Sequence, residues 1–184
     1  MIIRSTSFPG LYILEPKVFG DSRGYFFESF QLAEFEKTIG HVEFIQDNES
    51  KSGYGVLRGL HFQKPPYTQA KLVRCITGTI LDVVVDLRLN SPTYKQSFSV
   101  ELSDNNKLQL YIPRGFAHGF VVLSEDAIFS YKVDNLYAPT HDLGIRFDDP
   151  ELKIDWKLPA EALKLSEKDK ILPLLSETHL SFYL

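Results

Sequence analysis

Short segments in which apolar and polar residues alternate recur along most of this chain. The clearest is 79–87, where one face carries four aliphatic side chains and the other carries Asp82, Val84 and Asp86. Successive side chains of a strand point to opposite faces, so this segment predicts a strand with one core face and one partly polar face. The same pattern, rich in β-branched and aromatic residues, predicts further strands at 11–18, 24–30, 42–46, 56–63, 71–76, 98–102, 108–112 and 128–133.

Turn-forming residues separate these segments about every ten positions. They predict turns at 20–21, 64–66, 90–92 and 104–106, and one short helix at 31–38. Many short strands with regular turns are typical of an antiparallel sandwich or barrel. After Pro139 the strand pattern weakens, and the rest of the chain is a tail with a possible helical turn at 160–165. We expect this tail to wrap the barrel. There is no internal repeat, so we place no domain boundary.

Composition and charge narrow the classes of function. The 184 residues are enough for one domain with its own core, and the net charge of −4 gives no overall cationic field for nucleic acid or an anionic membrane. A local basic pocket for a phosphorylated small molecule is still compatible with this charge. Cys75 is the single cysteine, so no intrachain disulfide forms, and its apolar surroundings favour a buried small side chain over a catalytic thiol. No apolar run is long enough for a membrane span, which predicts a cytoplasmic protein.

Two segments carry the candidate chemistry: 55–63, continuing through 71–78, and 113–120. They resemble the two signature motifs of the cupin barrel, whose metal-binding members supply histidines and a glutamate as ligands. In this chain Gln63 occupies the motif position of the second histidine, Lys71 that of the glutamate, and Val122 that of a later asparagine. A protonated lysine has no lone pair to donate and repels a divalent cation, so we expect no metal and no cofactor. A histidine base and a cation suit proton transfer beside a carbonyl.

The likeness extends over nearly the whole chain. Segments 21–28, 44–50, 57–63, 71–74, 131–132 and 148–150 are similar, in order and spacing, to the dTDP-4-dehydrorhamnose 3,5-epimerase family. The resemblance implies a mostly β, cupin-type double-stranded β-helix (a jelly-roll barrel) with a few short helices, forming one domain over 1–184. It also implies an isomerase that inverts C3 and C5 of a dTDP-4-keto-6-deoxyhexose in dTDP-L-rhamnose-type biosynthesis. A homodimer follows in the same way, with N-terminal strands exchanged at the interface.

Roles for individual residues come with the resemblance. His61 is implied as the base, Asp169 as its hydrogen-bond partner, Tyr131 as the acid on the opposite face, and Lys71, with Arg58, as the stabiliser of the enolate oxygen. Inversion needs two proton-handling groups on opposite sides of one carbon. The residues implied to bind substrate are Arg23, Phe26, Glu28, Gln46, Asn48, Arg58, His118, Tyr137 and Asp142, the last standing where the family has a glutamate.

Taken singly, several of these residues also have ordinary structural interpretations. Tyr131 alternates with apolar residues, which is typical of a core tyrosine, and Lys71 could be a solvated lysine at a strand end. Asp169 lies in a polar stretch typical of an exposed loop, flanked by lysines that resemble surface charges. Of the aromatic cluster 25–27, at least one member should be core. Strict alternation also puts Arg58 and His61 on opposite faces of one strand, unless a bulge lies at Gly59.

Competing functions stay open at this point. Close variants of the epimerase invert only C3 or only C5, or use another nucleotide diphosphate, with the same acid and base. A metal-dependent cupin is disfavoured by Gln63, Lys71 and Val122. A non-enzymatic module that binds a sugar nucleotide needs no acid and base on opposite faces, so His61 and Tyr131 favour an enzyme.

Overall fold

The computed structural model describes residues 1–178. Its α-helices are α1 (Leu32–Thr38) and α2 (Glu167–Lys170), and single 3-10 turns occur at Pro139–His141, Ala160–Ala162 and Leu175–Glu177. Its strands are β1 (Ile2–Ser5), β2 (Tyr12–Glu15), β3 (Phe19–Asp21), β4 (Gly24–Phe26), β5 (Gln46–Gly53), β6 (Leu57–Gln63), β7 (Lys71–Thr77), β8 (Thr79–Asp86), β9 (Ser97–Ser103), β10 (Gln109–Ile112), β11 (Phe116–Val122), β12 (Asp126–Val133) and β13 (Asp142–Gly144).

Two antiparallel sheets face each other. One has the strand order β1-β2-β10-β7-β12-β5 and the other has the order β13-β6-β11-β8-β9. Apolar side chains from both sheets, among them Val84, Phe120 and Phe129, form the main core between them. Because neighbouring strands are mostly distant in sequence, this is the jelly-roll arrangement, and the predicted cupin-type fold is confirmed.

The outer face of each sheet is covered by chain that lies outside the two sheets. Leu152, Trp156 and Leu175, from the segment that follows β13, pack on the outward side chains of β6, β8 and β11. Phe35 of α1 packs on the outer face of β7 and β10. The last part of the predicted tail, residues 179–184, lies outside the described residues. Within residues 1–178, no helix is both long and apolar enough to cross a membrane.

Most of the predicted strands are present, but those predicted at 11–18 and 24–30 are shorter, as β2 and β4, and β1, β11 and β13 were not predicted as strands. Three further local differences concern other predictions. The segment predicted as a strand at 42–46 is irregular, and the strand begins at Gln46 and runs on as β5 through a polar stretch that lacks the apolar alternation. The turn predicted at 20–21 lies two residues later, at Ser22 and Arg23, because Gly20 and Asp21 belong to β3. The face of β8 predicted as partly polar is fully buried, since Asp82 and Asp86 have no exposed surface.

Candidate active site

A bulge in β6 turns two functional side chains toward one cavity. His61 is the cross-strand partner of His118 on β11, whereas Arg58 is the partner of Phe120, so Gly59 and Leu60 together face one residue of β11. In a regular strand Arg58 and His61 would point to opposite faces, so the bulge that we expected at Gly59 is confirmed. The backbones approach too closely there for side chains, because a Cβ on Gly59 would lie 2.5 Å from the Cα atom of Gly119.

The cavity lies between the two sheets and has a volume of about 600 Å³. The sheet that contains β6 and β11 contributes Arg58, His61 and His118, and the facing sheet contributes Asn48, Lys71 and Tyr131. Asp169 and Lys168 of α2 complete the wall at one side. The structure therefore brings every residue implied to be catalytic into a single cavity, with groups from opposite sheets facing across it.

His61 is paired with a carboxylate that is remote in sequence. Its Nε2 lies 2.6 Å from Oδ1 of Asp169, 108 positions away. Asp169 is 3% exposed, so its polar surroundings in the sequence were misleading. Burial opposes ionisation of this carboxyl, but hydrogen bonds from His61 and Ser166, with the nearby positive charges, bring its pKa below the usual value. A carboxylate can only accept, so Nε2 carries the proton, and in the neutral imidazole Nδ1 then has the free lone pair.

A second histidine and carboxylate pair lies beside the first. Nε2 of His118 is 2.9 Å from Oδ2 of Asp82, whose side chain has no exposed surface. Burial lowers the pKa of His118, and Asp82 offsets only part of this effect, so the imidazole is neutral in neutral solution. Oδ1 of Asp82 is a buried oxygen without a hydrogen-bond partner among residues 1–178. Such an oxygen is rare in native proteins and concentrates negative charge next to the cavity.

Lys71 supplies a positive charge without a counter-ion in contact. Within the described chain, no carboxylate lies within ion-pairing distance of its ammonium group, which is 6.0 Å from the ring centroid of Tyr131. Burial lowers the pKa of Lys71 to about 8, while the charges of Asp82 and Asp142 act in the opposite direction. The ammonium lines the cavity rather than pointing into bulk solvent. It is therefore available to an anionic oxygen of a ligand.

Tyr131 also lacks the contact that a purely structural tyrosine would make. In the part of the chain that the structure describes, its hydroxyl has no hydrogen-bond partner, although its ring packs on Phe129. Burial raises the pKa of the phenol, Arg58 opposes this effect and Asp142 adds to it, with a net rise. The hydroxyl is therefore protonated at neutral pH and can donate a proton.

Three further predicted binding residues do not line the cavity but are linked, directly or through one another, by hydrogen bonds to residues that do. Gln46 donates from its side-chain amide to Asn48 at 2.7 Å. Tyr137 donates its hydroxyl to Oδ2 of Asp142 at 3.1 Å, and the same oxygen accepts from Lys168 at 2.5 Å. Lys168, interpreted from sequence as a surface charge, has a side chain that is 56% exposed and also lines the cavity.

Three of the residues implied to hold the nucleotide, Arg23, Phe26 and Glu28, are not in the cavity of their own chain. Arg23 and Phe26 belong to the β3–β4 hairpin, where they line a separate surface pocket. Arg23 is paired with Asp21 at 2.6 Å, and Glu28 lies on the exposed chain just beyond the hairpin. The expectation that one aromatic of 25–27 is core is wrong for this chain, because two are exposed and the third is half-buried.

The departures from the metal-binding motif have a structural account. Gln63 is 5% exposed, donates to the carbonyls of Tyr67 and Leu136, and accepts from the amide of Ala138. It therefore ties two loops together and does not line the cavity. Among residues 1–178, no group of three or more His, Cys, Asp or Glu side chains is arranged to hold a metal ion. Cys75 is buried and burial raises its pKa to about 11, as expected for a structural thiol.

Sequence reasoning missed Asp82, the buried partner of His118, and Lys168, which lines the cavity. A signal existed for Asp82, because an aspartate inside an otherwise aliphatic strand is expensive to bury and needs a partner. No comparable signal existed for Lys168, whose position depends on how the tail folds back over the barrel.

Comparisons with known proteins agree with this geometry. A family model described as dTDP-4-dehydrorhamnose 3,5-epimerase matches residues 5–177. The chain is 52% identical to an enzyme of that name from Shigella flexneri over 170 residues, 92% of this chain and 93% of that one. It is similar, with a TM-score of 0.95 and 47% identity, to a dTDP-6-deoxy-D-glucose-3,5-epimerase from Legionella pneumophila in complex with dTDP-4-keto-L-rhamnose, covering 100% of this chain and 98% of that one. A 3'-monoepimerase from Streptomyces bikiniensis in complex with dTDP-quinovose is similar at 33% identity and a TM-score of 0.85, covering 93% and 86%.

Proposed function

The chain belongs to the dTDP-4-dehydrorhamnose 3,5-epimerase family, and we propose that it inverts C3 and C5 of a dTDP-4-keto-6-deoxyhexose. The observation that carries this proposal is the placement of His61 and Tyr131 on facing sheets of one cavity, with Lys71 beside them. A base and an acid on opposite sides of a carbon are what inversion requires.

The steps follow from the protonation states. Nδ1 of His61 removes the proton from the carbon beside the 4-keto group, and the electron pair of the C–H bond moves to form an enolate. The Lys71 ammonium stabilises the negative charge on the enolate oxygen, an effect that is large in a site shielded from water. The Tyr131 hydroxyl donates its proton to the opposite face of the same carbon. His61 then releases a proton to solvent and Tyr131 takes one up, which returns both side chains to their starting states.

The histidine and carboxylate pairs have separate roles in this scheme. Asp169 fixes the tautomer of His61 and stabilises the imidazolium that forms after proton removal. His118 is neutral and donates to Asp82, so its other ring nitrogen can accept a hydrogen bond from the sugar or phosphate region. Asn48 and Arg58 line the same cavity and are proposed to bind the substrate with it.

The hairpin residues support a homodimer. Arg23, Phe26 and Glu28 are exposed and lie outside the cavity of their own chain. We assign Arg23 to the diphosphate, Phe26 to the base together with Tyr137, and Glu28 with Gln46 to hydrogen bonds around the nucleotide. These assignments need the hairpin of a second copy at the cavity, and the exchange of N-terminal strands between copies belongs to the same proposal.

The pathway and location are part of the proposal. We place the reaction in dTDP-L-rhamnose-type biosynthesis, which feeds polysaccharide assembly, and in the cytoplasm, where nucleotide sugars are made. Inversion at C3 alone is the second candidate, supported by the similarity to the 3'-monoepimerase.

Incubation of the enzyme with a dTDP-4-keto-6-deoxyhexose in heavy water, without added metal, tests the reaction. We expect deuterium at both C3 and C5 and an inverted product, detected by NMR. His61→Ala should abolish exchange, whereas Tyr131→Phe should retain exchange but impair or redirect inversion. Deuterium at C3 alone would favour the second candidate. Equal, near-normal turnover in both variants would refute the assignment of acid and base.

A further inference from the structure

The segment that carries Tyr137 has no buried side chain to anchor it. None of residues 134–141, which join β12 to β13, is fully buried, and the side chains of Leu136 and Tyr137 are mostly exposed. A segment with few buried contacts opens locally at a low free energy unless hydrogen bonds hold its backbone. The conformation of residues 134–141 therefore depends on their polar contacts.

The carboxamide of Gln63 supplies such contacts on both sides of Tyr137. Its Nε2 donates to the carbonyl of Leu136 at 3.0 Å, and its Oε1 accepts from the amide of Ala138 at 2.6 Å. These two groups belong to the two peptide units that Tyr137 shares with its neighbours. Because one side chain fixes both units, it also fixes the direction in which the Tyr137 side chain leaves the backbone.

Gln63 is itself held in a single orientation. It is buried at the end of β6, and its second N–H donates to the carbonyl of Tyr67 at 2.7 Å. Both donors of the carboxamide are therefore used, together with its acceptor, which offsets the cost of burying it. Neither a carboxylate nor an aliphatic side chain of this length combines two donors with an acceptor.

The motif position of a cupin metal ligand thus has a different use in this chain. The carboxamide of Gln63 does not line the cavity but binds the segment that carries Tyr137. We propose that Gln63 is a positioning residue for Tyr137, and that it determines how tightly the nucleoside part of the substrate is bound. The inference rests on the proposed function, in which Tyr137 contacts the base, but its structural content can be measured without a ligand.

The first measurement is hydrogen exchange of the Ala138 amide in the free protein. Gln63→Met keeps the length of the side chain and removes its three hydrogen bonds, so this exchange should become faster by about fivefold, the size set by the loss of one hydrogen bond. Gln69→Met is the matched control, because Nε2 of Gln69 donates to the carbonyl of Asn135 in the same segment, at 2.8 Å, without flanking Tyr137. In this control the exchange should stay close to that of the native protein.

The second measurement is calorimetric titration with dTDP and with inorganic pyrophosphate. dTDP has a base that Tyr137 can contact, whereas pyrophosphate has none. We expect Gln63→Met to weaken the binding of dTDP by about fivefold, a typical cost of ordering one side chain on binding. The affinity for pyrophosphate should be unchanged, and Gln69→Met should change neither affinity.

A double variant tests whether Gln63 acts through Tyr137. Tyr137→Ala alone should weaken the binding of dTDP, and the addition of Gln63→Met should cause no further loss. A second loss of about fivefold in the double variant would overturn the proposal, as would equal losses for dTDP and pyrophosphate. Either result would mean that Gln63 supports the whole site and not Tyr137 in particular. If Gln63→Met does not fold, Gln63→Glu, which keeps the acceptor and loses both donors, enters the same comparison.

Two further outcomes separate this inference from the proposed function. Unchanged Ala138 exchange in Gln63→Met would overturn the positioning role, and so would faster exchange with an unchanged affinity for dTDP. If the native protein binds no dTDP, the proposed function fails, and exchange of the Ala138 amide alone then decides whether Gln63 fixes the segment around Tyr137.

Discussion

His61 and His118 are direct cross-strand partners, and each places its Nε2 against a different buried carboxylate. The two imidazoles therefore present their other ring nitrogens to the same cavity. Their partners differ in one respect: Asp169 comes from a helix that lies outside the sheets, whereas Asp82 belongs to β8, an inner strand of its sheet. The position of one carboxylate therefore depends on the path of the tail, and that of the other on the core.

The Asp169 carboxylate should matter more for rate than for folding. In Asp169→Asn the negative charge that stabilises the His61 imidazolium is lost, and the amide can hold the wrong tautomer. We expect kcat to fall about 100-fold or more, within the range measured for general-base and triad variants. Steady-state kinetics and a thermal melt check this prediction. A fall in kcat of less than a few-fold would mean that His61 works without this partner.

The lowered pKa of Lys71 predicts that kcat/KM falls on the alkaline side of the pH profile. The group must be protonated to stabilise an enolate oxygen, and burial lowers its pKa to about 8. As pH rises through that value the ammonium is lost, so kcat/KM of the free enzyme should decline on the alkaline side. Because the charge of Asp82 raises this pKa, Asp82→Asn should move the limb to lower pH. Lys170→Met should leave it in place. A limb that does not move in Asp82→Asn would assign it to another group.

The bulge at the active site should be sensitive to one added methyl group. A Cβ on Gly119 would lie 2.7 Å from the carbonyl oxygen of Arg58, whereas one on Gly53, also in a strand, would lie no closer than 3.8 Å to its neighbours. Gly119→Ala should therefore destabilise the protein by about 1–3 kcal/mol, a typical cost of overpacking. Gly53→Ala should be close to neutral. Comparison of the two free energies of unfolding in denaturant checks this, and equal values would show that the bulge relaxes freely.

The sequence predicted most of the strands that are buried on at least one side, although β11, which is buried throughout, was not predicted as a strand. β7, β8 and β12 alternate or are continuously aliphatic, so their periodicity is visible. It failed at β5, where the segment 46–53 is mostly polar and lies at the edge of its sheet, with five of its eight residues exposed. Pairing with β12, rather than any local preference, makes this segment a strand.

The candidate site was predictable only in part for a similar reason. The positions of His61, Lys71 and Tyr131 follow from strands whose register the pattern sets. The contact of Asp169 with His61 spans 108 positions and depends on the path of the tail. No local property of a polar Ser-Glu-Lys-Asp stretch reveals such a path. The contact of Lys168 with Asp142 likewise depends on the path of the tail.

The exposed hairpin gives a final prediction about subunit sharing. If Arg23 of one copy completes the cavity of the other, a dimer of His61→Ala and Arg23→Ala chains has one doubly impaired site and one intact site. Each variant alone should be nearly inactive, and an equal mixture exchanged by co-expression should regain about one quarter of the native activity, as random pairing requires. Arg4→Ala is a matched control, since among the described residues this exposed arginine pairs only with Glu15 on the adjacent strand. A mixture of Arg4→Ala and His61→Ala should show only the activity that the Arg4→Ala chains contribute by themselves. Light scattering should report a dimer throughout. Mixtures of the two site variants that stay inactive while dimeric would place Arg23 in the site of its own chain or outside catalysis altogether.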